Sequence, residues 1–168
     1  IILTNRVSEG DFPASMNGWS LWQNAYTRTA DVAVVPCVGM SNCIGAARIV
    51  SKDGLLIGIQ QHVQVVSGKT YRLSAYARSL MAAGQDRLFG GRVALHMPSG
   101  REHEVVWQKE SSAWLRKELV FESIVEGEGR ILVHLGYGHT ATTGEFTNIR
   151  LEEVVLPKLR RSSTRNVE

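Results

Sequence analysis

Long apolar runs are missing from this chain of 168 residues. No window approaches the roughly twenty continuous apolar residues of a membrane-spanning helix, which excludes such a helix. Helical periodicity is missing as well, since no stretch longer than about ten residues keeps its apolar side chains at a 3.6-residue spacing. Charge of one sign is scarce: nineteen basic and sixteen acidic residues leave a net charge of +3. The basic residues are dispersed except in the KLRRSSTR segment, Lys158 to Arg165, so nucleic acid is not an expected partner. That segment reads as a solvated tail or interdomain linker, with phosphate contact as its alternative. The opening Ile1-Ile2-Leu3 has neither the basic leader nor the apolar length of a secretory signal, and the chain is expected to be a mature form or an excised domain.

Cysteine is almost absent. Cys37 and Cys43 enclose five residues that include Gly39 and Asn42. A small disulfide loop suited to an oxidising compartment and a pair of reduced structural thiols are both compatible with that spacing. Neither cysteine has a histidine at metal-ligand spacing, so no metal centre is expected there. Catalytic signatures are absent too. There is no Gly-x-Ser-x-Gly elbow and no His-Glu-x-x-His zinc motif, and Gly90-Gly91 lacks the lysine and helix of a phosphate loop. Acidic neighbours such as Glu102 with Glu104 or Glu126 with Glu128 read as solvated charges and not as the spaced carboxylates of a glycosidase. The chain is therefore not expected to be an enzyme.

What the sequence has in quantity is alternation. Apolar residues recur every second position in almost every ordered segment, at an ordinary apolar content of 43%, and sixteen glycines supply turns. The length fits one domain that buries roughly 70% of the surface its unfolded chain exposes. The segment Gln60 to Arg78 reads as two strands joined at Ser67-Gly68, a hairpin with Val63, Val65, Tyr71, Leu73, Ala75 and Ala77 on one face. Its other face carries Gln64, Arg72, Ser74, Tyr76 and Arg78.

Further strands are expected at Trp19–Trp22, Asp31–Val35, Ala46–Val50 and Arg92–Met97, the last turning at Pro98-Ser99-Gly100 into Glu104–Gln108. Trp114–Phe121, Arg130–Tyr137 and Phe146–Val155 complete the set, with Ile131, Val133, Leu135 and Tyr137 inward. Met81–Asp86 reads as a loop and Gly127-Glu128-Gly129 as a turn. Nine or ten short strands indicate an all-β, two-sheet antiparallel sandwich over residues 1–157, followed by the tail at 158–168.

Several residues in order resemble the jelly-roll carbohydrate-binding modules of the four/nine group, attached to xylanases and other glycan-degrading enzymes. They are Asn5, Gly10-Asp11-Phe12 and Gly18-Trp19, then Gln61, Val63, Val65, Gly68, Tyr71 and Ala75-Tyr76-Ala77-Arg78. Trp114, Phe121 and Asn148-Ile149-Arg150-Leu151 follow. The resemblance spans residues 3 to 156 and implies a galactose-binding-domain-like jelly roll. It also implies a structural calcium ion held by carboxylates, but this chain has Pro13 and Thr147 at those positions, so calcium is disfavoured. An aromatic residue usual on the ligand face is missing at Gly54-Leu55-Leu56.

Sugar recognition needs ring faces for pyranose C–H groups and planar polar side chains for hydroxyls. Tyr76, Arg78, Trp107, His134 and Tyr137 are the candidate carbohydrate-binding residues. Trp107 can equally cover a sheet edge, and His134 reads first as a cross-strand hydrogen bond and second as a ligand contact. Trp19, Trp22 and Trp114 read as core or strand-end packing, and His139 lies in a loop from Gly138 to Gly144 that can border a cleft. The expected function is noncatalytic binding of a polysaccharide or cell-surface glycan, outside the cell and within a larger protein. The alternative is a structural jelly roll making protein contacts, such as a virion decoration or tail component of a bacteriophage, with neighbouring subunits as partners.

Overall fold

A computed structural model describes residues 2–22, 27–80, 88–137 and 140–155. The expected loop at Met81–Asp86, His139 and the tail from Lys158 lie outside these residues. Among the described residues there are eleven strands and a single 3₁₀ turn, Thr29–Asp31. The strands are β1 Ile2–Asn5, β2 Ser20–Leu21, β3 Val32–Pro36, β4 Gly45–Ser51, β5 Ile57–Val65 and β6 Thr70–Ser79. They continue as β7 Leu88–His96, β8 Glu102–Lys109, β9 Leu115–Glu122, β10 Gly127–Leu135 and β11 Thr142–Val154. Two antiparallel sheets form the sandwich of a jelly roll. Sheet A has the order β3-β4-β11-β6-β9, with β1 also on β11, and sheet B the order β2-β5-β10-β7-β8.

The inward residues are those that alternation indicates. Val63 and Val65 of β5, and Tyr71, Leu73, Ala75 and Ala77 of β6, are buried in one core with Ile131, Val133 and Leu135 of β10. The expected hairpin is not formed, however. β5 pairs with β2 and β10 in sheet B, whereas β6 pairs with β9 and β11 in sheet A. Residues 66–69 cross from one layer to the other, so the two apolar faces oppose each other through the core. Period-two patterning is the same for a hairpin and for such an arch, because both need one apolar face per strand.

Local bonds hold the crossing. The amide of Val66 donates to the Tyr71 hydroxyl at 2.9 Å. Gly68 N donates to Ser123 O at 2.7 Å and Ser123 N to Lys69 O at 2.9 Å, which ties the crossing to the end of β9.

Two other expectations change for local reasons. Gly127-Glu128-Gly129 is not a turn but the start of β10, paired with Val65, Gln64 and Val63. Tyr137 does not point inward. Gly136 adopts φ +89°, which breaks the alternation, and Tyr137 is 49% exposed in the following turn. In β11 the register shifts between Thr147 and Arg150, where Asn148 takes φ +49°. This bulge changes the phase of the strand, so that Phe146, Ile149 and Leu151 all enter the core. Phe146 packs there against Phe89 at 6.2 Å and against the edge of Trp107 at 5.9 Å between ring centroids.

Phe146→Ala should therefore lower the unfolding free energy by about 3–5 kcal/mol in urea titrations. Val120→Ala, on the outer face of β9, should change it by less than about 0.5 kcal/mol. Equal effects would mean that the inward and outward assignments are wrong.

Candidate functional site

The outer face of sheet A takes the residues of β6 that alternate with its core positions: Arg72, Ser74, Tyr76 and Arg78. Register sets Tyr76 between Thr147 of β11 and Arg116 of β9, and aligns Arg48 of β4, Glu145 of β11 and Arg78 of β6 in one row. Glu145 is 1% exposed and shared between the two arginines. Its Oε1 accepts from Arg78 Nε at 2.9 Å and Nη2 at 2.8 Å. Its Oε2 accepts from Arg48 Nε at 3.2 Å and Nη2 at 3.1 Å. Charge-assisted bonds of this kind fix the guanidinium planes. The Arg78 plane then lies over the Trp114 ring, 4.7 Å from its centroid.

Trp114 is held from a second side. Its indole N–H donates to Val38 O at 2.8 Å, a contact across 76 positions of sequence. Val38 belongs to the loop closed by the Cys37–Cys43 disulfide, whose Cα atoms are 5.6 Å apart. The structure thus selects the bridged form of the two cysteine readings. Within this loop Gly39 has φ +88°, and a Cβ on it would stand 3.2 Å from Arg78 Nη1. Backbone angle and close approach both call for glycine.

A cleft of about 580 Å³ lies between these parts. Gly39, Met40, Ser41 and Asn42 form one wall and Ser112, Ala113 and Trp114 the other. Tyr76, Arg78 and Asn148 form the floor, and no carboxylate is among the lining residues. The bulge in β11 is what brings Asn148 there. Beside it, Thr147 is fully buried with its hydroxyl donating to Gly45 O at 2.6 Å.

The five residues singled out from sequence do not form one site. Tyr76 and Arg78 line the cleft. Trp107 is 2% exposed, its indole N–H donating to Leu115 O at 2.9 Å, so it closes the β8–β9 edge beside a groove of about 460 Å³ and offers no ring face. His134 and Tyr137 belong to the outer face of sheet B, on the opposite side of the sandwich. The arch is the reason: it sends the outward residues of β5 and β6 to opposite surfaces.

On sheet B most charged groups pair with one another, while the buried Trp22 indole nitrogen has no hydrogen-bond partner. Arg92 pairs with Glu102 and Glu104, His62 with Glu128 at 2.9 Å and His96 with Glu102 at 2.8 Å. Trp114, Asn148 and the disulfide loop are the cleft residues that patterning missed. A tryptophan before a strand reads as packing, and only the distant bond to Val38 reveals its other role.

No model of a known protein family matches the chain, and no curated protein matches it. Solved structures do. TmCBM61 in complex with β-1,4-galactotriose superposes with a TM-score of 0.67 at 16% identity, over 90% of this chain and 100% of that one. A structure of a CBM4 carbohydrate-binding module gives a TM-score of 0.59 at 18% identity, over 88% and 99%. The enzymatically active domain of bacteriophage CBA120 tailspike protein 4 gives 0.62 at 12% identity, over 89% of this chain but 21% of that one. At these identities the likeness establishes the jelly-roll fold.

His134 shows what the sheet B face does instead. It is 1% exposed, and its ring lies 4.8 Å from that of Trp22 and 6.3 Å from that of Tyr137. Nδ1–H donates to Leu135 O at 2.9 Å, which leaves Nε2 to accept from Arg92 Nη1 at 3.3 Å. Burial drives its pKa down to about 4, against the help of the Leu135 carbonyl, and the Arg92 guanidinium pushes the same way. The unfolded ring titrates near 6.5, so the folded state favours the neutral form. That contribution to stability is complete above pH 6.5 and is lost as pH falls from 6.5 towards 4. Its size is about 3 kcal/mol. Between pH 7 and pH 4, urea unfolding should show a loss larger by about that amount in the native protein than in His134→Gln. Parallel pH profiles would mean that the ring is not held neutral.

Proposed function

We infer that this chain is a noncatalytic carbohydrate-binding module that takes a glycan in the cleft between the Cys37–Cys43 loop and Trp114. One observation carries the reading. A half-buried tryptophan, fixed by Val38 O and by the Arg78 guanidinium, stands beside Tyr76 and Asn148 in a cleft of about 580 Å³. The indole surface that Arg78 leaves uncovered supplies the apolar contact for a pyranose C–H face, and phenol, amide and guanidinium groups meet its hydroxyls. These groups sit on a sheet and a disulfide-closed loop, so little conformational freedom is lost on binding. With no carboxylate lining the cleft, there is no acid/base pair for glycosidic cleavage there.

The aromatic platform that the resemblance places near Gly54-Leu55-Leu56 is supplied on this reading by Trp114, from the loop before β9. The jelly-roll carbohydrate-binding modules of similar fold support a glycan as the ligand class. A setting outside the reducing cytosol, within a larger protein held against a polysaccharide, accounts for the Cys37–Cys43 bridge.

Affinity electrophoresis on xylans, β-glucans, galactans and mannans tests this. Retardation by at least one polymer is expected, weakened at least about tenfold in Trp114→Ala, with a cooperative urea transition showing that the variant is folded, because that side chain lies outside the core. A folded protein that no polymer retards would overturn the reading. So would retardation unchanged in Trp114→Ala, or a stable oligomer that buries the Tyr76 face.

A further inference from the structure

Elsewhere on the outer face of sheet A, three arginines each have their own nearest carboxylate, a ratio that the floor of the cleft does not keep. Arg116 has Glu118 at 2.8 Å, Arg72 has Glu152 at 3.1 Å and Arg150 has Asp11 at 3.6 Å. In the row beneath the cleft, one carboxylate, Glu145, serves two guanidiniums, Arg48 at 3.1 Å and Arg78 at 2.8 Å. Among the described residues this row therefore holds one formal positive charge in excess. Glu145 is 1% exposed, with both carboxylate oxygens already engaged, so it turns no lone pair towards the cleft. Arg78 spends its Nε–Nη2 edge on Glu145, and its Nη1 is turned towards Gly39 on the cleft wall. Arg78 is also the single charged residue among those that line the cleft.

We propose that the cleft selects glycans bearing an anionic substituent, with Arg78 as the residue that contacts the anion and Arg48 as the positioning residue that creates the charge excess. The proposal rests on the glycan-binding reading above and names its ligand class. A planar guanidinium that lines a cleft, with Nη1 beside Gly39 and outside the Glu145 pairing, suits a uronate carboxylate, and the same chemistry accepts a sulfate ester. Arg48 acts without touching the ligand. It occupies Oε2 of Glu145, so the carboxylate cannot neutralise Arg78 alone. Removing its charge while keeping a hydrogen-bond donor should leave the shape of the cleft intact and restore a one-to-one balance.

Binding is measured for polygalacturonate and glucuronoxylan, each beside its carboxyl-reduced neutral form, and for a sulfated galactan. At low salt the native protein should bind an anionic polymer roughly tenfold more tightly than its neutral form, a preference that shrinks as ionic strength rises through about 0.15 M. Arg48→Gln should reduce the ratio of acidic to neutral affinity to within about twofold. Arg130→Gln, on the outer face of sheet B, removes the same net charge and should leave the preference intact. Urea unfolding of each variant confirms that it is folded.

Tighter binding of the uronates assigns the substituent to a carboxylate, and tighter binding of the sulfated galactan to a sulfate ester. Equal affinity for acidic and neutral forms would overturn the proposal and leave the module reading standing. A preference that persists in Arg48→Gln, or that falls equally in Arg130→Gln, would also overturn it. Absence of binding to every polymer, neutral ones included, would instead count against the glycan-binding reading itself.

Discussion

The arch at residues 66–69 is the constraint on which the rest depends. Because β5 and β6 face each other across the core, the apolar half of each strand is buried by the other layer and the polar half is exposed on its own side. Hydrophobic burial alone does not choose this arrangement over a hairpin, since either would cover the same side chains. The choice is made by backbone pairing. Ser123 closes on Gly68 and Lys69, Tyr71 takes the Val66 amide, and β9 and β11 occupy the two edges of β6. Once those bonds form, Tyr76 and Arg78 face one solvent-exposed surface and Gln64 and His134 the other.

Upon that frame the two surfaces diverge in chemistry. Sheet B covers its outward residues with Trp22, Tyr137 and paired charges, and the neutral His134 belongs to that cover. Sheet A leaves a hollow. Its floor is stiff because the Arg48–Glu145–Arg78 row spans three adjacent strands, and its walls are stiff because one is closed by a disulfide and bonded to the other through Trp114. A buried carboxylate between two arginines is costly to desolvate, and its worth lies in holding geometry. The groups that line the hollow are thereby preorganised at the expense of the scaffold.

Much of the fold is legible in the sequence because period-two patterning reports directly which side chains are buried. Tyr71, Leu73, Ala75 and Ala77 are inward as the pattern requires, and Leu119 and Phe121 pack against the core. Pairing partners are not legible, because the same pattern serves a hairpin and an arch. Alternation puts Tyr137 inward, whereas a single glycine, Gly136 at φ +89°, ends the strand pattern before it. The β11 bulge is similarly silent, since an asparagine in a left-handed conformation looks like any polar strand residue. Tyr76 and Arg78 could be picked out as a polar, aromatic face, but their companions Trp114 and Asn148 come from distant segments joined by non-local bonds. Trp107, chosen for its ring, is spent on the sheet edge.

The most direct test of the cleft as a binding site is a titration of the ¹⁵N-labelled amides with an oligosaccharide cut from a polymer that retards the protein. Shifts should concentrate at Gly39–Asn42, Tyr76, Arg78, Ser112–Trp114 and Asn148, with the amides of β5 and β10 unmoved. Perturbations centred instead on Gly58–Gln64 and Arg130–Tyr137 would contradict the account, because they would place the ligand on the surface that the arch turns the other way.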